Sequence, residues 1–331
     1  MRMRPSTQAK IEYSFYSLPW IHMLTIIGDI NVDLLMALAE WPHEGGDALA
    51  HTVTWSSGGT GINSAVAVAR MGGTVRLWGR VGSDPAATQA LTIAQAAGVD
   101  LQGIQSDDHI PTGLCVIPVT TGGERTFLSY RGANQAWQCP SDWPTTPGWL
   151  HVCGHALLSD PQRASAIHAL RYAQQYGWQT SIDLCEPLTH HFDAIISQLL
   201  QPLSVLLGNQ AEMQAVAASH ASAAPICITK QGAAGAIVAV AGQITHYPAF
   251  VVDAIDTTAC GDTFASVCVL ALSHGAPLVD ALIVANAAGA ITASRRGAAD
   301  IVPTHTEVCA LLTQHQQPIP PWLATMVQYP H

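Results

Sequence analysis

The sequence predicts an α/β protein with a mainly parallel central sheet, helices on both of its faces and a small β lid. Three observations predict it. From residue 149 onward short strands alternate regularly with helices, the pattern of βαβ units. Those strands are continuously apolar, as strands buried on both faces are. Two extended stretches, near 33–57 and 112–131, break the alternation and so form lid segments outside the main sheet.

In chain order, residues 1–22 mix Arg2, Arg4, Lys10 and Glu12 with Tyr13, Phe15 and Tyr16 and contain no continuous apolar region of a signal peptide. They read as a disordered N-terminal extension, or as the result of a start codon assigned too early, with Met23 standing directly before the first strand. Leu24–Ile27 is a buried strand ended by Gly28-Asp29. Asn63–Met71 is a helix stopped by Gly72-Gly73. Val75–Val81 is a strand, and Pro85–Ala97 a helix ending at Gly98. Gly113–Val119 and Arg125–Tyr130 flank Thr120–Glu124 (TTGGE) as a hairpin. Then follow strand Trp149–Cys153, helix Gln162–Tyr176, strand Thr180–Leu184, helix Phe192–Leu200, strand Ser204–Leu207, helix Ala211–Ser219 and strand Ile226–Thr229. Ala236–Val240 and Gln243–Tyr247 form a second hairpin. Helices Asp262–His274 and Asp280–Ser294 close the core, and the proline-rich tail Gln316–Pro321 lies on the surface. With no internal repeat and no linker, residues 23–331 read as one domain.

Composition excludes several classes. A formal net charge of −10 with only 13 basic residues opposes a nucleic-acid surface, which needs a basic stripe to displace counterions. No apolar run approaches the roughly 20 residues that span a bilayer. The eight cysteines are scattered, with no C-x-x-C pair, and read as small buried side chains in a reducing cytoplasm. The adjacent pair His190-His191 points two ways on any regular element and reads as surface.

Two motifs carry chemistry. In Asp256-Thr257-Thr258-Ala259-Cys260-Gly261-Asp262, Gly261 lets the backbone turn tightly into a helix whose first amides lack internal partners. That end of a helix favours negative charge. Asp262 is either a plain helix cap or a carboxylate beside a phosphate cradle of Ala259, Cys260 and Gly261, placed to take a hydroxyl proton. The second motif, Ser57-Gly58-Gly59-Thr60-Gly61-Ile62-Asn63, fails as a dinucleotide loop because position 64 is serine. The P-loop fails too, since the only lysines follow Ala9 and Thr229. Bare backbone at 58–61 suits either a plain turn or the close approach of a polyol, with Asn63 offering a donor and an acceptor.

Together these motifs resemble the ribokinase-like (PfkB) carbohydrate kinases, over about residues 23–305. The resemblance implies an ATP-dependent sugar kinase. Gly28-Asp29-Ile30-Asn31-Val32-Asp33 is similar to the family's first strand and turn, which implies that Asp33 holds sugar hydroxyls, joined by Gly58, Gly59 and Asn63. Gly82-Ser83-Asp84 resembles the family's G-x-D segment without its following glycine. Glu124 stands where the family places a substrate-binding glutamate. Asn209-Gln210-Ala211-Glu212 matches an N-x-x-E element, which implies that Asn209 and Glu212 order magnesium through water. Thr229-Lys230-Gln231-Gly232-Ala233-Ala234-Gly235 resembles the T-x-G-x-x-G nucleotide loop, with Gln231 as its departure, so that Thr229, Gly232 and Gly235 meet ATP. Asn286 falls in the helix that borders the adenine. Asp256, with Gly297 in Arg295-Arg296-Gly297-Ala298, implies a monovalent cation such as K+. On this resemblance Asp262 is the general base, and the cofactors are ATP and Mg2+.

The residues leave the acceptor open. Ribose or fructose comes first, because the polar set suits hydroxyls. A 2-keto-3-deoxy sugar acid follows, with Arg131 as either its carboxylate partner or a solvated lid residue. A nucleoside is third and needs an aromatic platform, Trp55 or Phe127. Two readings come from other classes. One is a non-catalytic sugar or nucleotide sensor, which the intact Gly261-Asp262 pair opposes. The other is a nicotinamide dehydrogenase, whose glycine fingerprint is missing. A lid sheet of this kind also implies a homodimer.

Overall fold

The computed structural model describes residues 23–144 and 146–326; the N-terminal extension lies outside them. In chain order the strands are β1 (Leu24–Ile27), β2 (Asn31–Leu38), β3 (Ala50–Gly58), β4 (Val75–Gly82), β5 (Ile104–Asp107), β6 (Gly113–Val119), β7 (Leu128–Tyr130), β8 (Trp149–Cys153), β9 (Gln179–Asp183), β10 (Val205–Asn209), β11 (Ile226–Lys230), β12 (Ala236–Val240) and β13 (Gln243–Tyr247). The helices are α1 (Thr60–Arg70), α2 (Pro85–Ala96), α3 (Gln162–Gln175), α4 (Phe192–Ile196), α5 (Gln210–Ala215), α6 (His220–Ala223), α7 (Cys260–Ser273), α8 (Leu278–Ala293), α9 (His305–Gln314) and α10 (Pro321–Ala324).

The main sheet runs β13-β12-β11-β10-β9-β8-β1-β4-β5, parallel from β11 to β5, with the hairpin β12–β13 antiparallel at one edge. Its strands are apolar throughout because successive side chains serve two cores. Leu24 and Ile26 face α1, α7 and α8, whereas Ile27 faces α3 and α4; Val205 and Leu207 divide from Leu206 in the same way. The α3 side holds an aromatic stack. Trp78 lies 6.3 Å from Trp137 and 4.6 Å from Trp143, which in turn meets Trp178 at 5.5 Å and Tyr172 at 4.4 Å. Among the described residues no helix is long and apolar enough to cross a membrane.

The two extended stretches form a separate four-stranded sheet, β3-β2-β6-β7. Register fixes its faces, because directly paired residues project to the same side. Asp33 pairs with Ser56 and Cys115, and Cys115 with Ser129, which makes one face polar. Leu34 pairs with Trp55 and Val116, and Val116 with Leu128, which makes the other apolar.

Four details differ from the sequence reading. The helix at 192 ends at Ile196, because Gln174 Oε1 from α3 accepts from the amides of Leu200 and Gln201 at 3.0 and 3.4 Å. The helix at 211 ends at Ala215, followed by a turn and α6. Strand β5 and helix α9 are additions, and α9 carries a capping box between Thr304 and Glu307. Beyond the exposed stretch from Gln316 to Ile319 the chain returns to bury Trp322 and Leu323.

Candidate active site

Strand order reverses between β1 and β8: the chain winds from β1 to β4 and β5 on one side, and from β8 to β9, β10 and β11 on the other. A crevice at the carboxyl ends of the strands opens at such a point. Gly28 ends β1 there. A Cβ on it would lie 2.6 Å from the Gly61 Cα and 2.9 Å from Cys153 Sγ. Gly61 N–H donates to the Asp29 carbonyl at 2.9 Å, and Gly59 (φ +89°) would press a Cβ to 2.4 Å from that same oxygen. Gly59 and Gly61 therefore lay the start of α1 on the 28–29 turn. Gly58 differs: a Cβ there would sit 2.1 Å from Asp33 Oδ2, so glycine makes room for a carboxylate.

This seating aims Asn63 across to α7. Its Nδ2 donates to Asp262 Oδ2 at 2.9 Å, joining residues 199 apart in sequence. Asn63 Oδ1 is buried without a partner, and Asp262 Oδ1 and the Asp33 carboxylate accept no hydrogen bond from the described residues. Burial raises the Asp262 pKa, and the Asp183 charge adds to it, while Asn63, Lys230 and His155 oppose. The Asp33 pKa is pushed up to about 7 by burial and then by the Asp262 charge. Its pocket thus makes Asp262 more basic than a solvent-exposed aspartate.

Asp262 lies in the first turn of α7, whose N-cap, Ala259, adopts the left-handed φ of +58°. The amides of Ala259, Gly261 and Asp262 make no hydrogen bond to described residues; Cys260 N–H turns back to the Thr257 carbonyl at 3.3 Å. Cys260 therefore contributes least to the cradle. Its thiol, pushed up to about 12 by burial and then by Asp256, stays protonated.

Beside the cradle stands a cation that the sequence reading assigned no role. Lys230 Nζ donates to both Asp183 oxygens, at 2.6 and 2.8 Å, across the ends of β11 and β9. It lies 3.4 Å from the point a Gly261 Cβ would occupy. Burial works against its charge, but Asp183, followed by Glu212 and Asp262, raises its pKa overall. The available signal was its rarity, one of two lysines in the chain, at the carboxyl end of a strand.

The remaining candidates fall into three groups. Asn209 and Glu212 form a reciprocal capping box on α5, at 2.9 and 2.7 Å, which leaves Glu212 Oε1 without a hydrogen-bond partner among the described residues; burial raises the Glu212 pKa. Thr229 ends β11 next to the turn at Gly232 (φ +56°) and Gly235 (φ +95°), where a Gly235 Cβ would lie 2.1 Å from the Tyr247 carbonyl. Asn286 donates to the carbonyls of Tyr247 and Pro248 at 3.3 Å, so it braces the same wall. Asp256, with a fully buried side chain, is ion-paired to Arg125 through both oxygens and also accepts from Thr258 N–H at 2.9 Å and Gly297 N–H at 3.1 Å.

Two lid residues depart from expectation. Glu124 is exposed in its hairpin, and no hydrogen bond or ion pair joins its carboxylate to the other candidates. Arg131 is neither solvated nor free for a substrate carboxylate. It grips Asp29 with two 2.8 Å hydrogen bonds and also reaches Ser159 and Gln162, with 15% of its side chain exposed. Trp55 is also removed as a nucleoside platform, because it shares the face of Leu34, opposite to Asp33. Phe127, half exposed, precedes β7.

Residues 21–305 match the model of the pfkB family carbohydrate kinase. A fructokinase of Klebsiella pneumoniae is 32% identical over 306 residues, covering 84% of this chain and 95% of its own length. Among solved structures, a fructokinase double mutant from Vibrio cholerae O395, in fructose, ADP and potassium ion bound form, superposes with a TM-score of 0.73 at 26% identity, over 88% of this chain and 98% of that one. The ribokinase of Arabidopsis thaliana complexed with ribose and ATP shares the fold, with a TM-score of 0.76 at 23% identity over 88% and 99%.

Proposed function

The chain belongs to the pfkB family of carbohydrate kinases and is an ATP-dependent sugar kinase; we propose fructose as its acceptor and Asp262 as its general base. The observation that carries this is the hydrogen bond from Asn63 to Asp262. One Asp262 oxygen is held by Asn63 while the other stays open beside the unpaired amides of α7. A primary hydroxyl placed between Asp262 Oδ1 and the γ-phosphate gives its proton to that oxygen as its own oxygen bonds to phosphorus. The bond from the γ-phosphorus to the bridging oxygen breaks, and ADP leaves. The amides of Ala259, Gly261 and Asp262 and the ammonium of Lys230 stabilise charge on the transferred group. Asn63 Oδ1 and Asp33 accept from the other hydroxyls.

The wall of Asn209, Thr229, Gly232, Gly235 and Asn286 is assigned to ATP. Among the described residues there is no cluster of three metal-ligating side chains. Glu212 Oε1 and Asn209 would hold, through water, a magnesium ion carried by the phosphates. When bound, the ion supplies positive charge along the phosphates. Eight free cysteines support a cytoplasmic location. A second copy of the chain is assigned to the apolar face of the small sheet, where Val53, Trp55, Leu128 and Tyr130 are each at least half exposed.

Fructose is preferred to ribose on the two fructokinase relatives. The sugar-acid reading loses support because Arg131 is held by Asp29, and the nucleoside reading is left with Phe127 alone as its platform. The test is a coupled ADP-release assay with Mg-ATP across fructose, ribose, sugar acids and nucleosides. A kcat/KM for fructose at least tenfold above the rest is expected. A higher value for ribose or a nucleoside would displace fructose, and ATP binding without ADP release would favour a sensor.

A further inference from the structure

We propose that the Arg125 guanidinium takes the place of a monovalent cation at Asp256, so that this kinase needs no potassium. The family resemblance implies such a cation between Asp256 and the 295–298 loop, and a related fructokinase was solved with potassium bound. Here the residues do not fit one. Asp256 Oδ1 accepts from Arg125 Nη1 and Thr258 N–H, and Oδ2 from Arg125 Nη2 and Gly297 N–H. Both oxygens of the buried carboxylate are thus filled by donors, one of them already carrying the full positive charge. Gly297 presents an N–H to the carboxylate, which repels a cation instead of ligating it.

Three carbonyls just beyond the 295–298 loop are engaged by arginines as well. Arg70 Nη1 donates to those of Asp300 and Val302 at 2.9 and 2.8 Å, and Arg295 Nη1 to that of Ile301 at 3.3 Å. A potassium ion would have to displace Arg125 to reach either Asp256 oxygen, and Arg70 or Arg295 to reach the carbonyls of 300–302. Arg125 is permanently charged and, with Asp256, also holds Thr258, two residues before the start of α7. It therefore neutralises Asp256 and orders the turn that leads into the phosphate cradle. Arg125 belongs to the β6–β7 hairpin, where it bridges to Val119. The positive charge thus arrives with the small sheet and not from solvent.

This inference rests on the kinase activity but not on the identity of the acceptor. The test measures ADP release, with whichever acceptor is active, in potassium chloride against choline chloride at constant ionic strength. Melting temperature is recorded in both salts. For the unmodified chain we expect rates within about 1.5-fold of each other and no potassium-specific shift in melting. For Arg125→Ala, whose buried Asp256 is left unpaired, we expect a melting temperature raised by potassium over choline, and any surviving activity stimulated several-fold. A saturable potassium stimulation of the unmodified chain would overturn the proposal, as would an Arg125→Ala protein with normal activity in choline. Absence of ADP release in every salt would instead count against the kinase activity itself, and the melting data would still decide the cation question.

Discussion

At the scale of single residues, burial makes Asp33, Asp262 and Glu212 harder to ionise than usual. Asp262→Asn keeps the Asn63 contact and the cradle but removes the proton acceptor. ADP release is expected to fall about 10³-fold, with ATP affinity within about twofold by calorimetry. Asp33 makes a prediction with the opposite sign for stability. Its carboxyl titrates near 3.8 when unfolded and near 7 when folded. Between these values the folded chain holds a proton that the unfolded chain has lost, so stability falls as pH rises and the penalty is complete above 7. Asp33→Asn should therefore stabilise the ligand-free protein at pH 8, by on the order of 2–4 kcal/mol. It should do so little at pH 4 while raising KM for the sugar at least tenfold. Thermal melts at the two pH values check the first part and initial rates the second; equal stabilisation at both pH values would show that Asp33 ionises normally. Lys230→Met leaves Asp183 buried and unpaired, which should cost roughly 3–5 kcal/mol in a denaturation titration. The double variant Lys230→Met/Asp183→Leu should recover much of that stability but not the turnover.

At the scale of elements, the turns decide where those residues point. Gly58→Ala places a methyl group on the Asp33 carboxylate, at 2.1 Å, without any unusual φ. Sugar KM should rise several-fold while ATP affinity is unchanged. An unaltered sugar KM would mean that the Asp33 carboxylate shifts aside without cost to binding. Much of this level was legible in the sequence. The apolar strands from 149 to 229, the α1 and α7 helices and both hairpins follow from period and punctuation, which are local signals, although α1 starts three residues and α7 two residues before the expected positions. The stop at Ile196 was not legible, because it depends on Gln174 capturing two distant amides. The same limit applies to the partners of Arg125 and Arg131. A sequence shows that an arginine is present, but only the packing of the small sheet against the 256–258 turn and of the 131 loop against Asp29 shows which acid it meets. The backbone that Gly59 and Gly61 approach was likewise not legible, since it lies some 30 residues earlier.

At the scale of the whole molecule, two cores share one sheet while a second sheet carries Asp33 and Arg125 to the site. The second sheet leaves an apolar face outside. Trp55→Glu should convert a dimer into a monomer in sedimentation, and a monomeric parent chain at micromolar concentration would refute the assignment of a second copy to that face. The aromatic stack of Trp78, Trp137, Trp143 and Trp178 has an optical consequence. Indoles this close exchange excitation and emit as one unit, and this unit lies on the α3 side of the sheet, away from α1 and α7. Its near-ultraviolet circular dichroism should report the melting of one core while staying indifferent to bound nucleotide. Trp55, on the small sheet and half exposed, is one of the chromophores outside that unit, and its emission should change as that sheet closes or finds its partner.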